Sequence, residues 1–455
     1  MGAQLHGAAR TVEECKDLRG TYTRAYFTFI ENQLAKIKNT QPLREREFGV
    51  EIELVGVDDK YHFRAFDKEQ FRPQYDPEIL TCNVELVSEP KTHNGIDHLI
   101  EYIDELKAGV QGPSIQIGSH PQFNLSVATD YLNPLPRYQQ LIRALGKTPT
   151  QFCVDTYGNS SYCSSGAQWE GVGTSFQFTV NTPLNEVAHF YNAAKKLAPI
   201  ALYATASSPF IDGVLTNVQS VRSIIIPKVT SAEHRKWRSL EPLTHKLNGA
   251  APYETRMHRQ LKKFDPAVAK YFIESMREGW MLRVVGDEKN AVQPPPTFWP
   301  TVKLQGHIIN ENGIPIEVRT AEQLADTHDT VHYMLGMHSM IIQEAQMQQR
   351  EITRATSGSA DDHNTQLVNR GRNLYWDGKN VHPSEVVQRF LPGMKNLRKL
   401  GYSTSEITSV QQWWANRVND ATIMRRAALR KQPDLATGKP LTQETLEHIL
   451  ARHKL

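Results

Sequence analysis

Cysteine is scarce, with four residues (Cys15, Cys82, Cys153 and Cys163) in a chain of 455. None is in CxxC spacing, so neither a zinc ribbon nor a thioredoxin-type motif is encoded, and so few thiols do not make a disulfide framework. Cys153 and Cys163 flank a polar loop and read as unrelated thiols in a reducing compartment, with a redox pair as the alternative. Long apolar runs are also missing. No stretch reaches the ~18 residues that a spanning helix needs, and the first residues lack the apolar core of a signal peptide. The opening Met-Gly is followed at the sixth position by His6, where myristoylation wants Ser or Thr. A cytoplasmic protein without a membrane partner is the expectation. Neither sign of charge dominates: 52 basic against 49 acidic residues leave a net +3, which argues against nucleic acid as the main partner. There is no GxxxxGK[ST] loop, no Gly-rich dinucleotide fingerprint, no internal repeat and no persuasive Ser/His/Asp or Cys/His arrangement. Covalent catalysis by an enzyme nucleophile is therefore not indicated.

What is present is ordinary globular composition, 39% hydrophobic and 22% charged, and a set of glutamates in unusual company. The stretch FGVEIELVG (48–56) alternates with period two. Phe48, Val50, Ile52 and Leu54 point to one side, and Glu51 and Glu53 share the other. Two like charges on one strand face repel, so they need water or a cation. Further on, EILTCNVELVSEP carries Glu78 and Glu85, and IPIEVR carries Glu317 with Arg319 two residues later on the same strand face. Carboxylate-rich, cysteine-free groups suit hard cations such as Mg²⁺ or Mn²⁺, which share oxygen ligands with phosphates. Arg319 is suited to neutralise a transferring phosphoryl group. Half-exposed strands with solubilising glutamates, and a structural Glu317–Arg319 salt bridge, are the plain alternatives.

Periodicity predicts helix over most of 11–39, a strand at 47–56, a second strand in TCNVELVSEP and an amphipathic helix in IDHLIEYIDEL. SFQFTVNTP (175–183) alternates again, with Gln177 on its polar face, and Asn185 is placed to cap the helix that follows. Residues 228–300 are basic and irregular, with HRKWR (234–238) read as a solvated or phosphate-contacting loop. TVKLQGHIINENGIPIEVRT reads as a hairpin, followed by a long helix from Asp326. Beyond 350 the chain reads as mainly helical, with a polar break at TSGSADDHN. His328 and His332 lie one helical turn apart, but no glutamate follows the first as in HExxH, so a structural helix is expected there.

Taken in order over roughly residues 47–400, these segments resemble the glutamate-cysteine ligase type 2 and carboxylate-amine ligase family of the glutamine-synthetase-like superfamily. FGVEIEL is similar to the family's GVEEE-type strand, and EILTCNVELVSEP to its second acidic motif. GSHPQF and PRYQQL are similar to its HP and RY elements at Pro121 and Tyr138. SSPFIDGV resembles its NSPF-DG segment, with Arg222 following in SVRSII. IPIEVRTAEQLAD resembles its E-[VFL]-R strand, and NRGRNLYWDG its Arg-rich helix before a GLDG-like turn.

The resemblance implies an α+β fold: a glutamine-synthetase-like curved antiparallel sheet, or half-barrel, with helices packed outside and a helical C-terminal region. The implied division is an N-terminal helical segment (1–46), a catalytic domain (47–345) and a C-terminal helical region (346–455). The implied activity is ATP-dependent amide formation through an acyl phosphate, with two or three Mg²⁺ ions or Mn²⁺ in their place. Glu51, Glu53, Glu78, Glu85 and Glu317 would be the metal carboxylates, with Glu53, Glu317 and Arg319 catalytic. Arg319 and Lys303 would meet ATP, Arg222 the α-carboxylate of an amino-acid substrate, expected to be L-glutamate, and Gln177 would line the site where many relatives have His. The amine acceptor and the oligomeric state stay open, a homodimer being compatible. Phosphoryl transfer to a guanidino or amine group, and a non-catalytic nucleotide-binding relative, remain as alternatives.

Overall fold

The computed structural model describes residues 26–37, 42–67, 75–92, 94–136, 138–139, 142, 151–158, 160–229, 268–272, 302–350 and 358–455. HRKWR and most of the basic 228–300 stretch lie outside these residues, as do residues 11–25 of the first expected helix, of which 26–34 are helical.

The centre of the protein is a seven-stranded sheet. Its strands are β1 (Phe48–Gly56), β2 (Tyr75–Pro77), β3 (Asn83–Val87), β4 (Ser114–Ile115), β7 (Ser175–Thr182), β10 (Val302–Leu304) and β11 (Ile314–Glu322). Their order is β10-β11-β7-β1-β3-β2, with β4 also paired to β1, and the pairings are antiparallel. Small hairpins stand apart from it: β5 (Gln151–Asp155) with β6 (Ser161–Ser165), β8 (Phe210–Ile211) with β9 (Val214–Leu215), and β12 (Leu374–Trp376) with β13 (Lys379–Val381).

Alternation along each strand divides the sheet into an apolar and a polar face. Phe48, Val50, Ile52 and Leu54 of β1, Val84 and Leu86 of β3, Phe176, Phe178 and Val180 of β7, and Ile314, Ile316 and Val318 of β11 are all buried in the main core. Burial of each such side chain contributes about 1.5–3 kcal/mol. The helices Ile96–Ala108, Val187–Lys196 and Thr327–Arg350 supply the opposing layer through residues such as Leu99, Phe190, Tyr333 and Leu335. The last of these helices crosses position 345 and is covered in turn by Thr404–Asn416. The fit is close at Gly336, where a Cβ would lie 1.8 Å from the Trp414 indole nitrogen. Ser403 and Glu406 form a capping box on the covering helix. Among the described residues, no helix is long and apolar enough to cross a membrane.

The structure departs from the sequence reading in four places. Asn185 caps nothing; Glu186 occupies the N-cap position, and its carboxylate instead binds buried Arg46 at 2.8 and 2.9 Å. The polar segment expected to break the C-terminal region is largely helical, over Gly358–Asn369. The expected Arg-rich helix is not formed by NRGRNLYWDG, of which only Asn369 belongs to the helix. Leu374–Trp376 is a strand, and Asp377 and Gly378 make a tight turn with φ of 46° and 80°, the backbone that a two-residue hairpin demands. Finally, Cys153 and Cys163 are not unrelated thiols. They stand opposite each other across β5 and β6, with Cα atoms 4.2 Å apart, and are joined as a disulfide. The hairpin that makes them partners was hidden by serines at 161, 164 and 165, which blur the strand signal.

Candidate active site

The polar face of the sheet gathers the acids. Glu53 on β1 is the direct cross-strand partner of Glu85 on β3, and Glu51 is the partner of Gln177 on β7. Glu317 on β11 stands opposite Lys303 on β10. Glu78 follows β2, and its segment is held from behind. Tyr138 donates its hydroxyl hydrogen to the Pro77 carbonyl, and Asn133 Nδ2 donates to the Glu78 carbonyl at 2.9 Å. Glu53, Glu78 and Glu85 each offer a carboxylate oxygen within 4.8 Å of the others.

A bulge in β11 shapes this face. Val318 pairs with Phe178 but Ala321 with Phe176, so three residues of β11 match two of β7. Parity is thereby reversed, and Glu322, opposite Ser175, joins the face that carries Glu317.

Hydrogen bonding is uneven. Glu53 accepts from the Ser175 backbone N–H at 2.7 Å, from Ser175 Oγ at 2.8 Å and from Gln177 Nε2 at 2.9 Å. Gln177 Nε2 also approaches Glu85 Oε1 at 3.4 Å. Gln177 Oε1 and Glu317 Oε1 are buried and receive no hydrogen bond from the described residues. The other Glu317 oxygen accepts from Arg319 at 2.7 Å.

The charges follow from these contacts. Burial, then Glu317 and Glu85, push the Glu51 carboxyl well above its ordinary range, against the pull of Arg319. Burial, then Glu78 and Glu53, do the same to Glu85. Burial would also raise Glu317, but Arg319 and Lys303 outweigh it and hold that carboxyl at about 2. Lys303 is lowered by burial, with Glu317 opposing. The face thus has Glu317 paired with Arg319 and opposite Lys303, beside acids that lack enough positive charge.

Such a donor set fits a hard divalent cation. Three converging carboxylates, the buried Glu51 carboxyl beside Glu317, and the buried Gln177 and Glu317 oxygens that receive no hydrogen bond among the described residues are all oxygen donors of the kind such an ion takes. The histidine pair does not compete. His332 Nδ1 lies 2.8 Å from the His328 carbonyl and Nε2 lies 2.8 Å from Ser409 Oγ, so both ring nitrogens are engaged.

Two groups beside the site escaped the sequence reading. Glu170 lies on a 3₁₀ turn, Ala167–Val172. Burial, with Glu53 nearby, raises it to about 7 while Arg319 and Arg222 pull it down. Nothing in AQWEGVG marks that acid, because the turn is not periodic. Glu322 is fully buried and accepts from Ser208 Oγ at 2.5 Å, the Ser207 backbone N–H at 2.5 Å and Ser220 Oγ. Its only signal was its place in the glutamate-bearing strand. Arg222 opens the helix Arg222–Val229, and Gly173 gives its side chain room, since a Cβ there would meet Arg222 Cδ at 2.4 Å.

Neither a protein-family model nor a curated protein sequence matches the chain. Solved structures do. A bifunctional glutathione synthetase from Pasteurella multocida matches with a TM-score of 0.50 at 12% identity, over 93% of this chain and 54% of its own. A glutamate–cysteine ligase from Francisella tularensis in complex with AMP matches with a TM-score of 0.50 at 12% identity, over 90% of this chain and 92% of its own.

The chain has the fold of the glutamate–cysteine ligases.

It spans about half the length of the Pasteurella protein. The complex of the prokaryotic ubiquitin-like protein Pup with its ligase PafA matches more distantly, with a TM-score of 0.44 at 11% identity, over 91% of this chain and 74% of its own. The expected glutamine-synthetase-like antiparallel sheet, with helices outside and a helical C-terminal region, is what the glutamate–cysteine ligase fold presents here.

Proposed function

We propose that the protein is an ATP-dependent carboxylate–amine ligase that forms an amide, of γ-glutamyl type with L-glutamate as donor, through an acyl phosphate. The observation that carries the reading is the convergence of Glu53, Glu78 and Glu85 beside the Glu317–Arg319–Lys303 group on one sheet face. The shared ligase fold supports it.

Hydroxide is too poor a leaving group for an amine to displace from a carboxylate, so the carboxylate must first be activated. One carboxylate oxygen attacks the γ-phosphorus of ATP, the bond to the β-phosphate oxygen breaks, and ADP leaves with the electron pair. The amine nitrogen then attacks the acyl carbon, the C–O bond to phosphate breaks, and phosphate departs. In this reading Arg319, locked by Glu317, neutralises charge on the transferring phosphoryl group, and Lys303 adds a second positive contact to ATP. Arg222 takes the α-carboxylate of the donor. Gln177 steadies Glu53 and turns its free amide oxygen to the site. Glu51, Glu53, Glu78, Glu85 and Glu317 would hold divalent cations, which when bound supply charge neutralisation and in-line geometry.

The test is ADP release by the purified protein with MgATP, L-glutamate and a panel of amines, beside a Glu53→Gln variant. ADP and an amide that require both glutamate and one amine, and that vanish in the variant, are expected. A phosphorylated product without amide would replace the ligase with a phosphotransferase, and silence across carboxylates and amines would remove the catalytic reading.

A further inference from the structure

The Cys153–Cys163 disulfide lies on the outer face of the β5–β6 hairpin, where both cysteines are exposed together with Gln151, Asp155, Ser161 and Ser165. The inner face does the packing. Phe152 and Val154 are buried in a second core with Ile79, Trp169, Val221 and Ile225. The ring centroid of Trp169 lies 5.0 Å from that of Phe152 and 6.1 Å from that of Tyr162, and its Nε1 donates to Ser164 Oγ at 2.9 Å.

The hairpin stands apart from the seven-stranded sheet, and a two-stranded hairpin on its own is marginal in water. β5 is anchored at its end, where the Asp155 carbonyl accepts from the Asn217 backbone N–H at 2.8 Å and the Tyr157 N–H donates to the Leu215 carbonyl at 3.0 Å. β6 is joined to β5 by the strand pairing and the disulfide, and it reaches the second core through Tyr162 and Ser164. Its sequence, SYCSS, has no β-branched residue and one aromatic to favour a strand. The covalent bond therefore holds β6 in place where propensity does little. What lies under the hairpin also bears on the site: Ile79 follows Glu78, and Val221 precedes Arg222. Glu53, Glu317 and Lys303 stand on strands backed by the main core instead, through Ile52, Ile316 and Val302.

We propose that Cys153–Cys163 is a reversible redox-modification site: a thiol reductant opens it by exchange, β6 separates from the second core, and the Glu78 and Arg222 segments loosen while the main sheet keeps its structure. A reductant thiolate attacks one exposed sulfur, the S–S bond breaks, and the other cysteine leaves with the electron pair and takes up a proton. A second reductant thiolate then displaces the remaining cysteine from the mixed disulfide, and that sulfur is protonated in turn. The protein is thereby reduced by two electrons to the dithiol, and the reductant is oxidised to its own disulfide. Cys82 stays out of the exchange, since it is fully buried and burial pushes its thiol up to about 12. The inference rests on the ligase reading only for the consequence of loosening: with Glu78 and Arg222 no longer held, amide formation by the reduced protein slows by about tenfold or more.

Amide hydrogen exchange read by mass spectrometry tests this without any substrate. The full chain is compared in its oxidised form, after millimolar dithiothreitol without denaturant, and after reoxidation with glutathione disulfide, with iodoacetamide labelling to locate free thiols. Reduction should open Cys153 and Cys163 to the label. It should raise exchange about tenfold or more in peptides covering 151–165, 76–80 and 221–226, and leave 48–56, 175–182 and 314–322 within about twofold. Reoxidation should reverse both changes. A protein carrying Cys153→Ser and Cys163→Ser should exchange as the reduced form does and ignore the reductant. A bond that survives dithiothreitol in the folded protein, faster exchange confined to the hairpin, or a rise spread equally over the main sheet overturns the proposal. Amide formation at equal rates in the oxidised and reduced proteins would overturn it while leaving the ligase reading intact. Loosening of the two segments without ADP release from either form would remove the ligase reading and leave the redox site standing.

Discussion

Glu53 and Glu85 face each other as direct partners across β1 and β3, two carboxylates at a position where strands usually pair opposite charges or apolar groups. Like charges so opposed are destabilising even in solvated sheets, and here Glu78 adds a third. Glu85→Gln should therefore raise the unfolding midpoint of metal-free protein. In millimolar MgCl₂ the order should invert, because the wild-type protein gains stability from a ligand that the variant binds poorly. Thermal unfolding with and without MgCl₂ checks both halves, and equal Mg²⁺ stabilisation of the two proteins would count against a metal site at these acids.

Arg319 and Glu317 form an ion pair at 2.7 Å on the polar face of β11. Glu317 is completely buried and held ionised at about 2 by Arg319 and Lys303, although burial alone would raise it. Arg319→Met leaves that charge with Lys303 alone and should cost about 3–5 kcal/mol, the range for breaking a buried pair from one side. In a Glu317→Gln background the same change should cost much less. Urea denaturation of the four proteins closes the cycle, and additive losses would mean that the two residues do not act as a pair.

The sheet was legible because its strands alternate cleanly: β1, β7 and β11 each bury one set of side chains and offer acids or amides on the other. The acidic site was legible for the same reason, since Glu51, Glu53, Glu85 and Glu317 are strand residues whose face follows from parity. Glu170 and the Cys153–Cys163 bond were not. One lies on an aperiodic turn positioned by contacts to Asn83 and the Ile79–Leu80 segment far along the chain. The other depends on a hairpin register that serine-rich strands do not announce. Glu322 was misleading in a different way, because the bulge after Val318 reverses parity and no sequence pattern reveals a bulge.

The acidity of Glu170 should appear in the pH dependence of stability. Its carboxyl is raised from 4.5 to about 7 on folding, through burial and Glu53. Folding thus tightens its hold on a proton, and the resulting stability is fully present below 4.5 and is lost as pH rises through about 7. Glu317 acts with opposite sign in another window, contributing above 4.5 and losing that contribution as pH falls toward about 2. The difference in unfolding midpoint between Glu170→Gln and wild-type protein without metal should therefore shift in favour of the variant between about 4.5 and about 7. A flat difference across that window would show that the Glu170 proton is not coupled to folding.

Glu322 offers a test of how the site is braced. Its carboxylate receives Ser208 Oγ at 2.5 Å, the Ser207 backbone N–H at 2.5 Å and Ser220 Oγ, so one buried side chain ties β11 to the segment before β8 and to the turn ahead of Arg222. Burial raises this carboxyl, and the three serines, then Arg222, oppose the rise. Glu322→Ala strands those donors, each at about 1–3 kcal/mol when buried, and should unfold much of the protein at ordinary temperature. Glu322→Gln keeps the shape and one acceptor while placing an amide N–H₂ against hydroxyls that must turn round to accept. It should fold, lose stability, and weaken amino-acid binding through Arg222 while ADP affinity is retained. Calorimetry with both ligands on the Gln variant separates the outcomes: parallel loss of amino-acid and ADP binding would mark Glu322 as a general support of the fold, whereas loss confined to the amino acid ties it to the placement of Arg222.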